Sequence, residues 1–198
     1  MKILLASSSP RRFELLKSLG HDVRVIASSV EEITEGCPKS IAITNARLKA
    51  EKVFFDHDLL GEELIVAADT VVFMGPENFG KPHSPKDAIA MLSILSGREH
   101  EVVTAFCIIK NNQERCESHV ISKVSLRNLR EEEIKAYVKT GECMDKAGSY
   151  AVNGLAAALI DQIHGSITNI MGLPIKELLY EADKLMQYNS KSPAAGQR

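Results

Sequence analysis

Ile3-Leu4-Leu5-Ala6-Ser7-Ser8-Ser9-Pro10-Arg11-Arg12-Phe13-Glu14-Leu15-Leu16-Lys17-Ser18-Leu19-Gly20 is the stretch that decides the fold class. Its apolar run reads as a strand, its serines as a turn, and its second half as a helix. Pro10 suits the first helical position and Ser9 the cap before it. Leu15, Leu16 and Leu19 give the helix one apolar stripe, and Gly20 ends it. Free backbone N–H groups at such a helix start attract anions, and guanidiniums in the first turn can fork onto phosphate oxygens. A capped surface helix with two solvated arginines has the same local pattern, so the stretch alone leaves both readings open.

Working outward, His21 to Ala27 predicts a second strand, and Ser28 to Lys39 a polar loop carrying Glu31, Glu32 and Glu35. A helix follows over roughly Ser40 to Phe55, where Ile43, Ala46, Arg47, Ala50 and Val53 keep a helical period and Lys49 and Lys52 sit among them. Leu64 to Met74 predicts a buried strand interrupted by Asp69-Thr70. Gly75 to Pro82 turns, and Pro85 to Leu95 is helical. His100 to Lys110 and Glu117 to Leu126 predict two long strands joined through Asn111-Asn112. Leu129 to Lys139 predicts a helix that opens on three glutamates near its positive end. Gly141 to Gly154 is a polar connection, Leu155 to Ile163 predicts a strand, Pro174 to Met186 a final amphipathic helix, and from Asn189 the tail reads as disordered. Strands alternating with helices around a long hairpin predict an α/β fold with a mixed sheet.

The chain has 198 residues and 44% hydrophobic content, enough for one large domain or two small lobes with a real core. Its 24 Lys+Arg balance 26 Asp+Glu without a long single-sign block, which argues against a nucleic-acid partner held by a broad basic face. No run approaches membrane-spanning length, and the opening apolar run is too short for a signal peptide, so no membrane partner is expected. Cys37, Cys107, Cys116 and Cys143 lie far apart with no Cys-x-x-Cys pair, which suits reduced thiols in the cytoplasm.

Asp69 is the first candidate for chemistry. It is an ionisable group inside an apolar strand, where an unpaired carboxylate is costly, so it should face a cleft, a cation or a metal. A core Asp satisfied by backbone amides or an arginine is the bland alternative. Beside a phosphate site such a carboxylate can act as general base for water or hold a divalent cation. Glu31-Glu32, in the loop after the second strand, could add the oxygens that magnesium or manganese needs, with water and phosphate completing the shell. Gly75-Pro76-Glu77-Asn78-Phe79-Gly80-Lys81-Pro82 matches the phosphate-loop pattern until Pro82 replaces its Ser/Thr, and with neither a hydroxyl nor a backbone donor there the ATPase reading fails. Lys81, pinned between Gly80 and Pro82, could still neutralise a phosphate. The loop Asp145-Lys146-Ala147-Gly148-Ser149-Tyr150-Ala151-Val152-Asn153-Gly154 can approach a ligand closely and read a base through an amide. The six histidines show no metal spacing.

The set resembles the Maf family of nucleoside triphosphate pyrophosphatases from Ile3 to about Leu179. The resemblance rests on Ala6-Ser7-Ser8-Ser9-Pro10-Arg11-Arg12, Val30-Glu31-Glu32, Leu48-Lys49-Ala50, Ala68-Asp69-Thr70-Val71-Val72, Gly80-Lys81-Pro82, Leu95-Ser96-Gly97-Arg98, Asp145-Lys146-Ala147-Gly148-Ser149-Tyr150 and Met171-Gly172-Leu173-Pro174, in the family's order. It implies one catalytic domain over residues 1–188, with residues 189–198 as a tail. That domain would have two lobes around a central cleft, in a twisted mixed sheet flanked by helices like that of the inosine triphosphate pyrophosphatases. It also implies a divalent metal, frequent homodimers, and cleavage between the α- and β-phosphates to a nucleoside monophosphate and pyrophosphate.

Carried over, Asp69 becomes the proton acceptor that activates water, Glu32 a metal or water-positioning carboxylate beside it, and Lys81 a catalytic cation. Arg12 and Lys49 would bind the triphosphate, with Ser8 and Ser9 lining the turn. Glu32 and Asp69 are then the metal ligands. A subgroup resembling dTTP/UTP pyrophosphatases carries arginine at Arg11, threonine at Thr70 and glutamine where this chain has Asn153, a shorter amide, so pyrimidine triphosphates are the expected substrates. Removal of non-standard nucleotides is an extension of that reading. The rival is a non-catalytic nucleotide-binding regulator of cell division, against which Asp69, Glu32 and Lys81 count.

Overall fold

Lys2–Leu5 forms strand β1, and its residues Ile3, Leu4 and Leu5 are buried, which explains their unbroken apolar run: the strand lies between two parallel neighbours. The chain then turns through the serines into helix α1, Pro10–Ser18, whose Leu16 enters the core and whose exit is made by Gly20 at φ 78°. Strand β2, Asp22–Val25, returns parallel to β1, and helix α2, Pro38–Asp56, carries the chain across to β3, Glu63–Met74. This is a computed structural model that describes residues 1–57, 63–110 and 114–188. The predicted Asn111-Asn112 turn and the tail from Asn189 lie outside the described residues.

A two-residue turn at Gly75-Pro76, with Gly75 at φ 59°, folds β3 back onto the short β4, Glu77–Phe79, as the rejection of a phosphate loop requires. Helix α3, Pro85–Leu95, is capped by Ser84, whose hydroxyl accepts the Asp87 N–H at 3.1 Å. Strands β5, Glu99–Lys110, and β6, Arg115–Leu126, run antiparallel over their whole length. Helix α4, Glu131–Lys139, starts on its three glutamates. The predicted strand over 155–163 is a correction. Gly154–Leu159 winds as a 3-10 helix and only Ile160–His164 is strand β7, because the Glu142 carboxylate accepts the Leu155 and Ala156 N–H groups and holds the small residues in a turn. A four-residue helix α5, Ile167–Ile170, and the final helix α6, Ile175–Tyr188, complete the chain.

The sheet order is β2-β1-β3-β5-β6-β7, with β4 on the free part of β3, and only the β1 pairings are parallel. Helix α2 covers one face through Ala42, Ala46, Ala50 and Val53 against Ile65, Ala67, Ala105 and Cys107. On the other face lie two cores. Leu16, Leu178 and Ala182 pack on Val66, Ala68 and Phe106 at one end, and Leu92, Leu95, Ile134 and Tyr150 pack with Val72, Val102 and Val124 at the other. Between them, on that face, stand Thr70 and Thr104.

The second core contains one buried polar pair, His100 Nε2 and the Tyr150 hydroxyl at 2.7 Å. Burial pushes the His100 imidazole down to about 4. Below the ordinary value near 6.5 the unfolded chain takes up a proton here that the folded chain refuses, so the contribution is complete above that value and is lost as pH falls toward 4. Stability measured by urea unfolding should therefore fall between pH 6.5 and 4 with a His100 share of about 1.4 kcal/mol per unit. In His100→Gln that share disappears; an unchanged slope would refute the assignment.

Candidate active site

The site arises where the sheet is open. β1 pairs with β3 from Lys2↔Glu63 to Leu5↔Val66, and β4 pairs with it only from Val72↔Phe79. Among the described residues, none forms a strand beside residues 67–71 of β3 on that edge. Ala6 donates its N–H to the Val66 carbonyl at 2.8 Å, and the chain then peels away into the serine turn beside this interval. Asp69 and Thr70 are its central residues, and adjacent strand residues point to opposite faces. Each draws its own set of partners.

On the Thr70 face stands Arg12. Its Nε donates to the Gly172 carbonyl at 2.7 Å, its Nη1 to Ser7 Oγ at 3.1 Å and its Nη2 to Thr70 Oγ1 at 3.1 Å. One N–H on each terminal nitrogen is left for a ligand. Burial lowers the guanidinium's affinity for its proton, and the charges of Asp69 and Glu32 oppose that effect. The serine that anchors Arg12 is Ser7, not Ser8 or Ser9. Ser7 is buried and accepts the Ser9 N–H at 3.2 Å as well, so its own proton remains to donate. Ser8 is exposed and Ser9 occupies the cap position of α1 without a side-chain cap hydrogen bond.

On the Asp69 face stands Lys49 of α2. Its ammonium is 2.7 Å from Asp69 Oδ1 and 2.7 Å from Glu32 Oε1, so one cation joins the two carboxylates. Asn45, one helical turn before Lys49, donates to Asp69 Oδ2 at 3.2 Å and clasps the Ile33 backbone through both its N–H and its carbonyl. That clasp brings the Glu32 loop to the helix. Burial works against the Glu32 charge, but the Lys49 hydrogen bond and the charges of Lys49, Lys81 and Arg12 hold its carboxyl below the usual range.

The remaining candidates lie around these two groups. Gly80 accepts the Gly148 N–H at 3.1 Å, which ties the Lys81 segment to the loop between α4 and β7. Lys81 itself is exposed and acts on Glu32 through its charge. Arg11 reaches the same loop through Asp145 at 3.4 Å, an exposed pair that holds it weakly. Asn153 caps the 3-10 segment by position, is exposed, and makes no side-chain cap hydrogen bond. No hydrogen bond joins it to Arg11 or Thr70 among the described residues.

Two carboxylates meeting at one cation are the protein share of a magnesium-type site, which takes one or two carboxylates and fills the rest with phosphate oxygens and water. Among the described residues no three His, Cys, Asp or Glu side chains form a closed metal cage. The donor set thus fits a divalent cation that arrives with a phosphate ligand. A model described as Maf-like protein matches residues 2–185. This chain belongs to the Maf family.

Relatives of this Maf protein include a dTTP/UTP pyrophosphatase of Aquifex aeolicus (strain VF5), 43% identical over 178 residues that span 90% of this chain and 92% of that protein. A dTTP/UTP pyrophosphatase of Thermococcus kodakarensis is 40% identical, with 92% of this chain and 96% of that protein covered. Among solved structures, the Staphylococcus aureus Ham1 protein aligns at 15% identity and TM-score 0.45, covering 96% of this chain and 98% of that one.

Besides Ser7, the Maf chain uses Asn45 and Gly172 in ways that its sequence pattern does not announce. Asn45 falls on the apolar stripe of α2 with Ala42, Ala46 and Lys49, and a polar residue there was the available signal. Gly172 sits at φ 102°, and a Cβ on it would come within 3.3 Å of both Arg12 Nε and Thr70 Oγ1. Gly172→Ala should lower Tm by about 5 °C. Gly141→Ala, at φ 77° with nothing within 4 Å of the added Cβ, should lower it less. Equal Tm for the two variants would remove the steric argument.

Proposed function

We propose that this Maf protein is a nucleoside triphosphate pyrophosphatase, a hydrolase that opens the bond between the α- and β-phosphates and prefers dTTP and UTP. The observation that carries the reading is the Asp69–Lys49–Glu32 group set beside the Arg12 cradle at one opening of the sheet. The names of its relatives support the same substrate class.

In this reading the triphosphate lies on the N-terminus of α1, with the free N–H groups of Arg12, the Ser7 proton and the Lys81 ammonium on its oxygens. Lys49 adds positive charge while it fixes both carboxylates. Each Asp69 oxygen accepts one hydrogen bond and keeps a lone pair, so a water held between Asp69 and Glu32 can give its proton to Asp69. The water oxygen bonds to phosphorus, the bridging P–O bond breaks, and the electron pair leaves with pyrophosphate, where Arg12 and Lys81 neutralise it. A magnesium or manganese ion held by Glu32, Asp69 and phosphate oxygens would supply further charge neutralisation and acidify the water. Arg11 serves the base, since its weak pair with Asp145 is readily exchanged, and Asn153 offers the amide on the facing loop. Residues 1–188 act as one catalytic domain whose two lobes meet at the opening. The working protein is a cytoplasmic homodimer that requires neither nucleic acid nor a membrane; among the described residues no helix is long and apolar enough to cross one.

A purified sample offered a panel of nucleoside triphosphates with magnesium or manganese should release pyrophosphate, fastest from dTTP and UTP. Asp69→Asn should cut turnover about a thousandfold while nucleotide binding persists. A folded wild-type protein that binds nucleotides and hydrolyses none of them would instead support the regulator of cell division.

A further inference from the structure

The two cores on one face of the sheet are separated by a polar seam of Thr70, Thr104, Ser122 and Asn169, of which the last three are 0–2% exposed. Buried hydroxyls and amides of this kind must be fully paired, and here the pairing has a direction. Thr104 Oγ1 lies 2.7 Å from the Asn169 carbonyl, which can only accept, so the single Thr104 proton goes there. At the 2.9 Å contact between the two threonines Thr104 must then accept and Thr70 must donate. Thr70 Oγ1 is thereby left to accept from Arg12 Nη2.

Asn169 closes the other arm as well. Its carbonyl accepts the Gly172 N–H at 2.9 Å, and the Gly172 carbonyl accepts Arg12 Nε. Each polar atom of its side chain is paired: Oδ1 accepts the Thr104 N–H, and Nδ2 donates to the Val102 carbonyl and to Ser122 Oγ. Nε and Nη2 of Arg12 therefore both lead to Asn169, which is fully buried.

We propose that Thr70, Thr104 and Asn169 form a one-way hydrogen-bond chain that positions the Arg12 guanidinium for a polyphosphate. The proposal rests on the reading of Arg12 as a triphosphate ligand. Thr70 spends its proton on Thr104 and one lone pair on Arg12. A chain ending in a protein carbonyl also keeps the threonine from turning its proton toward a ligand.

The test uses the full-length protein. Thr104→Val removes the hydroxyl at nearly constant volume, and Thr70→Val breaks the same chain one link closer to Arg12 should the first variant fold poorly. Each should raise KM for dTTP, UTP, ATP and GTP by one common factor of about ten, with kcat much less changed, and should weaken inorganic tripolyphosphate in calorimetry by the same factor. Thr104→Ser should restore both values. In an Arg12→Ala background Thr104→Val should add nothing, a non-additivity that a general loss of packing would not produce. Unchanged KM and tripolyphosphate affinity in both valine variants, or a shift in the pyrimidine-to-purine ratio, would overturn the proposal. A wild-type protein that binds tripolyphosphate but hydrolyses nothing fails the hydrolytic reading alone, and the titrations still decide the chain; one that does not bind it overturns both.

Discussion

β3 changes partners along one edge, from β1 to β4, and the interval at residues 67–71 is where the sheet has no strand to offer. Everything polar in the site follows from that gap. The period of two in a strand sends Asp69 toward α2 and Thr70 toward α1, so the two residues cannot share a partner. Lys49 answers the first and Arg12 the second, each from a helix that begins after a strand on the same side of the opening. The site is therefore two charged assemblies, an arginine cradle on one face of a single strand and a lysine joining two carboxylates on the other. A ligand that engages both must lie across the edge itself, outside the carboxyl end of the parallel strand β1, as ligands of open α/β sheets generally do.

Such an arrangement costs stability. Lys49 and Asp69 are both nearly buried, and a buried ion pair recovers its desolvation penalty only where the remaining lone pairs are also bonded. Asn45 gives the second Asp69 oxygen its hydrogen bond, and Glu32 gives the ammonium its second partner. The polar seam behind Arg12 is paired in the same manner, with the Asn169 side chain using its acceptor and both its donors. The seam takes the place of apolar packing between the two cores.

Much of this was legible in the chain. The strand–serine turn–helix unit, the carboxylate lodged in an apolar strand and the failed phosphate loop all depend on neighbours in sequence, and all were read there. What the pattern misses shares one cause. Leu155 to Ile163 looks like a strand by composition, and only the carboxylate of Glu142, reaching back from an earlier turn, makes its first half helical. Nothing in the run of three serines separates Ser7 from Ser8 and Ser9, yet Ser7 is the one that follows the buried strand inward to Arg12. Thr104 and Asn169 are silent in the pattern because their partners lie 34 and 65 residues away, across strands that periodicity cannot align. Gly172 is required by a side chain 160 positions earlier.

The central claim is that a triphosphate binds across this edge, on Arg12 and beside Asp69. The direct measurement is a crystal structure of Asp69→Asn with an α,β-methylene nucleoside triphosphate and magnesium. The account predicts phosphate oxygens within hydrogen-bonding distance of the free Arg12 Nη groups and the first turn of α1, with the attacked phosphorus facing residue 69. Phosphates seated instead in the separate groove of about 390 Å³ lined by Arg115, Cys116, Glu181 and Lys184, with the Arg12 cradle left untouched, would contradict it.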